Sequence, residues 1–148
     1  MGGLDSAGLL ALWIPRAVET WSEQLGWMRA RFAGRLWIAL ELHRQSGESV
    51  RVCGLHALAK RSGIPLVAAG DVHMHARGRR ALQDTLTAIR LGVPVAKAGL
   101  ALQASGERHL RPIATLEKIY ARTTLLEETL RIAGLCTFYV AGRKDEYP

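Results

Sequence analysis

Apolar residues along the chain switch between alternate spacing and spacing of three to four, which marks strands and helices in turn. Leu9 to Trp13 reads as a short strand ended at Ile14-Pro15. Pro15 suits the first turn of a helix. Val18, Trp21, Leu25 and Met28 then predict a helix running to about Phe32, stopped by Ala33-Gly34. Arg35 to Leu42 alternates, with Leu36, Ile38, Leu40 and Leu42 on one face and Trp37, Ala39, Glu41 and His43 on the other. That is the pattern of a strand. A loop over Gln45–Ser49 leads to a helix from about Ser49 to Arg61, with Val52, Leu55 and Leu58 or Ala59 inward and Gly63 behind its C-terminus. Pro65 to Ala69 is a short apolar run of buried-strand type that stops at Gly70.

The later chain is more helical. Arg77 to about Leu91 predicts a helix with Leu82, Leu86 and Ile89 as its buried stripe, closed by Gly92-Val-Pro94. Residues 93–113 have weak periodicity and read as an irregular connection. Thr115 to Ala121 predicts a short helix. Thr124-Leu-Leu-Glu127 is a capping box opening a helix to Gly134, with Leu126, Leu130 and Ala133 inward and Glu127 paired to Arg131 outside. Thr137 to Val140 predicts a short strand, and a charged tail runs from Arg143 to Pro148. Trp21 and Trp27 fall on a helical stripe, which favours packing over a platform for bases.

Strand, helix and strand in succession make a βαβ unit with parallel strands. The predicted fold class is therefore α/β, and sites in such folds gather at the carboxyl ends of the strands. Asp71, His73 and His75 lie there at alternate positions. If the backbone stays extended past Gly70, a carboxylate and up to two imidazoles share one face. Carboxylate and imidazole suit zinc, manganese or iron. Glu41 and His43 repeat the pattern one unit earlier, as lining residues or as plain solvent-facing ones. Arg77, Arg79 and Arg80, with Arg90, give the next helix a basic surface that either contacts phosphate or is simply solvated. Gly106-Glu-Arg-His-Leu-Arg111 concentrates charge in a loop of functional length.

Composition sharpens this only in part. A chain of 148 residues is one domain or a piece of a larger one, and 49% apolar with 22% charged residues is ordinary for a soluble protein. The net charge of +7 favours anionic partners, nucleic acid first. Cys53 and Cys136 form no disulfide framework and are expected as buried, reduced thiols of a cytoplasmic protein. No stretch reaches the roughly 18 consecutive apolar residues of a membrane span, and no secretory leader is evident.

Four blocks carry a family resemblance: Gly34 to Arg44, Leu66 to His75, Arg79 to Gly92, and Gly106 to Pro112. In order and spacing they resemble the error-prone C-family bacterial DNA polymerases, relatives of the polymerase III alpha subunit, from about Leu9 to Pro148. The resemblance implies the later part of an N-terminal polymerase-and-histidinol-phosphatase (PHP) domain, a distorted (β/α)₇ barrel whose strand ends can hold metal ions. On this view residues 1–92 are a partial barrel. Residues 93–148 are a mostly helical connection, with a helix over 124–134, leading toward a polymerase domain not contained here. The family's last metal motif is Asp-x-His, which Asp71 and His73 match, implying zinc or manganese there and magnesium for the full polymerase. The family's early His-x-His motif does not precede Asp71, and the catalytic aspartates would lie beyond Pro148, so the chain is expected to be a fragment without polymerase activity of its own. For the whole family the resemblance implies translesion DNA synthesis with DNA and other polymerase or repair proteins as partners. The residues alone leave two other readings, a free-standing metal-dependent phosphoesterase and a non-catalytic module that contacts DNA.

Overall fold

The computed structural model describes residues 6–16, 18–121 and 124–137. The strand expected from Thr137 to Val140 lies outside them except for Thr137, as does the charged tail. Among the described residues a three-stranded parallel sheet forms from β1 (Ala11–Trp13), β2 (Leu36–Glu41) and β3 (Leu66–Ala69), in the order β1-β2-β3. Leu12 pairs with Trp37, and Ala39 with Val67. The crossovers are α1 (Trp21–Arg31) and α2 (Glu48–Ser62).

Alternation in β2 builds two cores, as the sequence pattern predicts. Leu36, Ile38 and Leu40 pack with Trp21, Leu25 and Met28 of α1 and with Leu55 and Leu58 of α2. Both crossover helices therefore cover the same face. Trp37, Ala39 and Val67 form the second, smaller core. The central strand is buried on both faces, which explains its near-continuous apolar run. Among the described residues the sheet is open; a closed barrel is not part of what they form.

Several expectations shift. The first helix starts at Trp21, after a 3-10 turn over Val18–Thr20. Pro15 is fully buried in the core instead of opening a helix. The helix after β3 begins as a 3-10 turn over Arg77–Arg79 and continues as α3 (Arg80–Leu91), ended by Gly92 at φ +66°. Its expected buried stripe is exposed: Leu82 at 52%, Leu86 at 53% and Ile89 at 69%. α3 lies against the short turns beside it rather than on the sheet, so Thr87 and Ala88 are its buried residues. Cys53 and Cys136 are free and exposed rather than buried. Cys53 sits two residues from Leu55, about 200° around the helix from that buried side chain.

α4 (Ile113–Ile119) and α5 (Thr124–Leu135) complete the described chain. α5 keeps Leu126 of its predicted stripe against the first core but otherwise buries a neighbouring line. Leu125 joins the first core and Ile132 the second, so the helix passes along the β3 edge, while Leu130 is 74% exposed. Between them Glu128 accepts a hydrogen bond from the Trp37 indole N–H at 2.5 Å. Glu128, not Glu127, also pairs with Arg131, at 2.7 Å. The buried indole needs an acceptor, which draws a carboxylate into a line that apolar periodicity would not select.

Candidate functional site

Shortly beyond each of β2 and β3 lies a residue with a left-handed backbone, Arg44 at φ +56° and Asp71 at φ +41°. The backbone therefore turns at Asp71 instead of staying extended, and the alternation expected for Asp71, His73 and His75 is broken. Asp71 and His73 nevertheless meet: His73 donates from Nε2 to Asp71 Oδ1 at 3.1 Å. His75 is exposed.

His43 is buried, and its Nε2 lies 3.0 Å from the Gly70 carbonyl oxygen. A carbonyl can only accept, so Nε2 carries the proton. The His43 backbone N–H donates to Glu48 Oε1 at 2.5 Å and that of Arg44 to Glu48 Oε2 at 3.2 Å. Glu48 thus fastens the β2 exit to the start of α2, and His43 ties β2 to β3. Glu41 is half-buried, and its charge acts on the Arg108 guanidinium.

The residues that organise this end of the sheet come from the loop over 105–111. Glu107 is buried. It receives Arg77 at 2.7 Å, Arg111 at 3.1 Å and, more loosely, Arg44 at 3.9 Å. Arg111 also donates to the carbonyls of Leu42 at 3.1 Å and Glu107 at 2.8 Å. Arg108 forms an ion pair with Asp71 through Nη1 and Oδ2. The Arg108 carbonyl accepts from the N–H groups of His73 at 2.9 Å and Met74 at 3.2 Å, and Leu110 N–H donates to Met74 O at 3.1 Å. His109 Nδ1 donates to Gly106 O at 2.8 Å. The loop is a strap across the strand ends. A Cβ on Gly106 would come within 2.9 Å of Arg77 Cγ and 3.0 Å of the Arg77 carbonyl, so the strap is seated where only glycine fits.

Burial pulls the Arg108 pKa below its ordinary value; the Glu41 carboxylate works against that, and the charges of Arg16 and Arg51 add to it. Among the described residues no three His, Cys, Asp or Glu side chains lie together in a way that could hold a metal. Asp71 and His73 supply two donors, and Arg108 already engages one oxygen of Asp71. The residues present do not fit a catalytic metal centre, which needs three protein ligands and an open position. Of the expected phosphate contacts, Arg77 is turned onto Glu107, Arg80 Nε lies 3.5 Å from Asp84, and Arg79 is exposed.

No family model matches the chain. Individual relatives do. The chain is 52% identical over 141 residues to the error-prone DNA polymerase of Pseudomonas fluorescens strain Pf0-1. It is 53% identical over 147 residues to that of Pseudomonas savastanoi pv. phaseolicola, and 51% identical over 139 residues to that of Methylococcus capsulatus strain Bath. These matches cover 95%, 97% and 94% of the chain. The chain is a close relative of one segment of the error-prone DNA polymerases. It spans about 14% of the length of the curated relatives it matches. The strap lies inside the segment shared with those error-prone polymerases. Sequence reasoning singled it out for its charge density, its loop length and its place among the resembling blocks, but not for the ion pairs by which Gly106 followed by Glu-Arg-His-x-Arg holds the strand ends.

Proposed function

We propose that this chain is the part of an error-prone DNA polymerase that supports the synthetic machinery rather than performing synthesis. The single observation that carries this reading is the identity of about half of all residues along nearly the whole chain. In the longer polypeptide the segment would be the later part of the PHP domain, with residues 1–92 completing a (β/α) barrel and residues 93–148 leading toward the polymerase body. The activity it serves is DNA-directed DNA synthesis across damaged template in repair. DNA, together with other repair proteins, is the partner, and the cytoplasm is the compartment. No helix among the described residues is long and apolar enough to cross a membrane.

Nucleotide transfer needs paired metal ions that activate the primer hydroxyl and stabilise the leaving pyrophosphate. In this reading magnesium does that work elsewhere in the longer polypeptide. Zinc or manganese at Asp71 and His73 belongs to the reading only with further ligands from outside the segment. What supports a supporting role here is the pairing of the acids at this end of the sheet: Glu107 with three arginines and Asp71 with Arg108.

A primer-extension assay tests the reading. The purified 148-residue chain is expected to extend no primer, whereas a longer polymerase containing it extends one and loses stability or activity when the segment is deleted. Template-dependent synthesis by the chain alone, or full activity and stability after the deletion, would overturn it.

A further inference from the structure

The Asp71–His73 pair already holds a cation, and that cation is part of the chain. Arg108 holds the stretch from Asp71 to Met74 at two points. Its guanidinium pairs with Asp71 Oδ2, and its carbonyl binds the N–H groups of His73 and Met74 that follow. Only 18% of the Arg108 side chain is exposed. Its neighbours Glu107 and Leu110 are fixed in turn, Glu107 by Arg77 and Arg111 and Leu110 by the Met74 carbonyl. Arg108 is therefore held in place by the strap and does not reach Asp71 as a loose surface chain.

A divalent ion would compete for the Asp71 oxygens and for the nitrogen His73 turns toward them. Carboxylate oxygens bind zinc at about 2.0–2.2 Å, and a ligating imidazole must offer an unprotonated nitrogen. Here one Asp71 oxygen faces a guanidinium, and the other accepts a proton held on His73 Nε2. The geometry points to Arg108 as an internal cation that occupies the place of a metal ion at Asp71 and His73, with the Glu107-anchored strap deciding whether that pair is open to a divalent ion. Metal and guanidinium exclude each other at Asp71. The metal-binding form of the pair is the form with the strap released. This inference does not depend on the polymerase reading, because it concerns ion binding by the chain itself.

Zinc and manganese titrations followed by calorimetry test it. Arg108→Gln is expected to bind either ion at least about ten-fold more tightly than the parent chain, the scale on which groups around a metal site act. Adding Asp71→Asn to Arg108→Gln should abolish the gain. Equal affinity of parent and Arg108→Gln, or a gain that survives Asp71→Asn, would overturn the proposal. Amide exchange of the parent chain decides the matter if Arg108→Gln does not fold. Saturating zinc should then accelerate exchange at His73 and Leu110, whose N–H groups bond across the strap. Zinc bound at His73 with both amides still protected, or no zinc bound at His73 at any concentration that leaves the chain folded, would overturn it.

Discussion

Glu107 and Arg111 lie 3.1 Å apart with both side chains only 5% exposed. They are the buried part of a network whose other arms, Arg44 and Arg77, are 68% and 64% exposed. Burial separates the value of these arms. Removing one partner of a buried pair strands a charge and costs about 3–5 kcal/mol, whereas an exposed pair is worth at most about 1 kcal/mol. Glu107→Ala is therefore expected to destabilise the chain severalfold more than Arg44→Ala or Arg77→Ala. Urea unfolding of the three variants checks the order, and equal losses would mean that Glu107 does not anchor the strap.

The bond between Trp37 and Glu128 gives an acid dependence. Hydrogen bonds from Arg131 first and Trp37 second hold the Glu128 carboxyl below its ordinary range. A carboxyl with a depressed folded pKa adds stability that is present above the unfolded value, about 4.3, and is lost as pH falls through the folded value. Glu128→Gln should then cost on the order of 1 kcal/mol near neutrality. The difference from the parent should shrink as pH falls below the unfolded value and through the depressed folded one. Thermal melts across that range would show the two curves converging.

What the sequence made legible follows from how each element is buried. β2 was readable because both its faces are packed, so alternation and apolar content agree with its neighbours. α2 was readable because one stripe, Leu55 and Leu58, meets a sheet and Gly63 ends it at φ +68°. The face of α3 and, beyond Leu126, that of α5 were not. Periodicity identifies an apolar stripe but not whether a partner covers it, and among the described residues α3 packs chiefly against the short turns beside it. α5 turns a carboxylate inward to meet an indole, a choice set by a residue ninety-one positions away. At the strand ends the residue types were legible and the pairing was not. Asp71 and His73 look like ligands in sequence because nothing local reveals that Arg108 will arrive from a distant loop.

The exposed stripe of α3 makes its own prediction. Leu86 is 53% exposed, so Leu86→Ser removes little buried surface from the described fold. Substitutions at such positions usually change stability by no more than about 0.5 kcal/mol. By contrast Leu55→Ala, at a fully buried position, should cost about 2–5 kcal/mol. A comparison of the two urea midpoints tests whether α3 stands off the core, and a large loss for Leu86→Ser would place that stripe inside it.

Tyr120 gives the basic limb of the pH profile. Its buried hydroxyl lies 3.1 Å from the Leu40 carbonyl and 2.9 Å from that of Ala69, and its one proton serves both. It thereby ties the end of α4 to the carboxyl ends of β2 and β3. Burial raises the phenol's pKa, against the opposing charge of Arg111. A raised folded pKa contributes stability that is fully present below the unfolded tyrosine value, about 10, and is lost as pH rises through the folded value. Tyr120→Phe keeps the ring but leaves two buried carbonyls without this donor, at a cost of about 1–3 kcal/mol near neutrality. Above about pH 10 the parent begins to lose what the variant never had. The gap between them should therefore narrow as pH climbs from about 10 through the raised folded value. Urea unfolding at intervals over that range gives the outcome directly. A gap that stays constant would mean the hydroxyl ionises in the folded chain as easily as in the unfolded one, and that the tie to Leu40 and Ala69 is too weak to hold its proton.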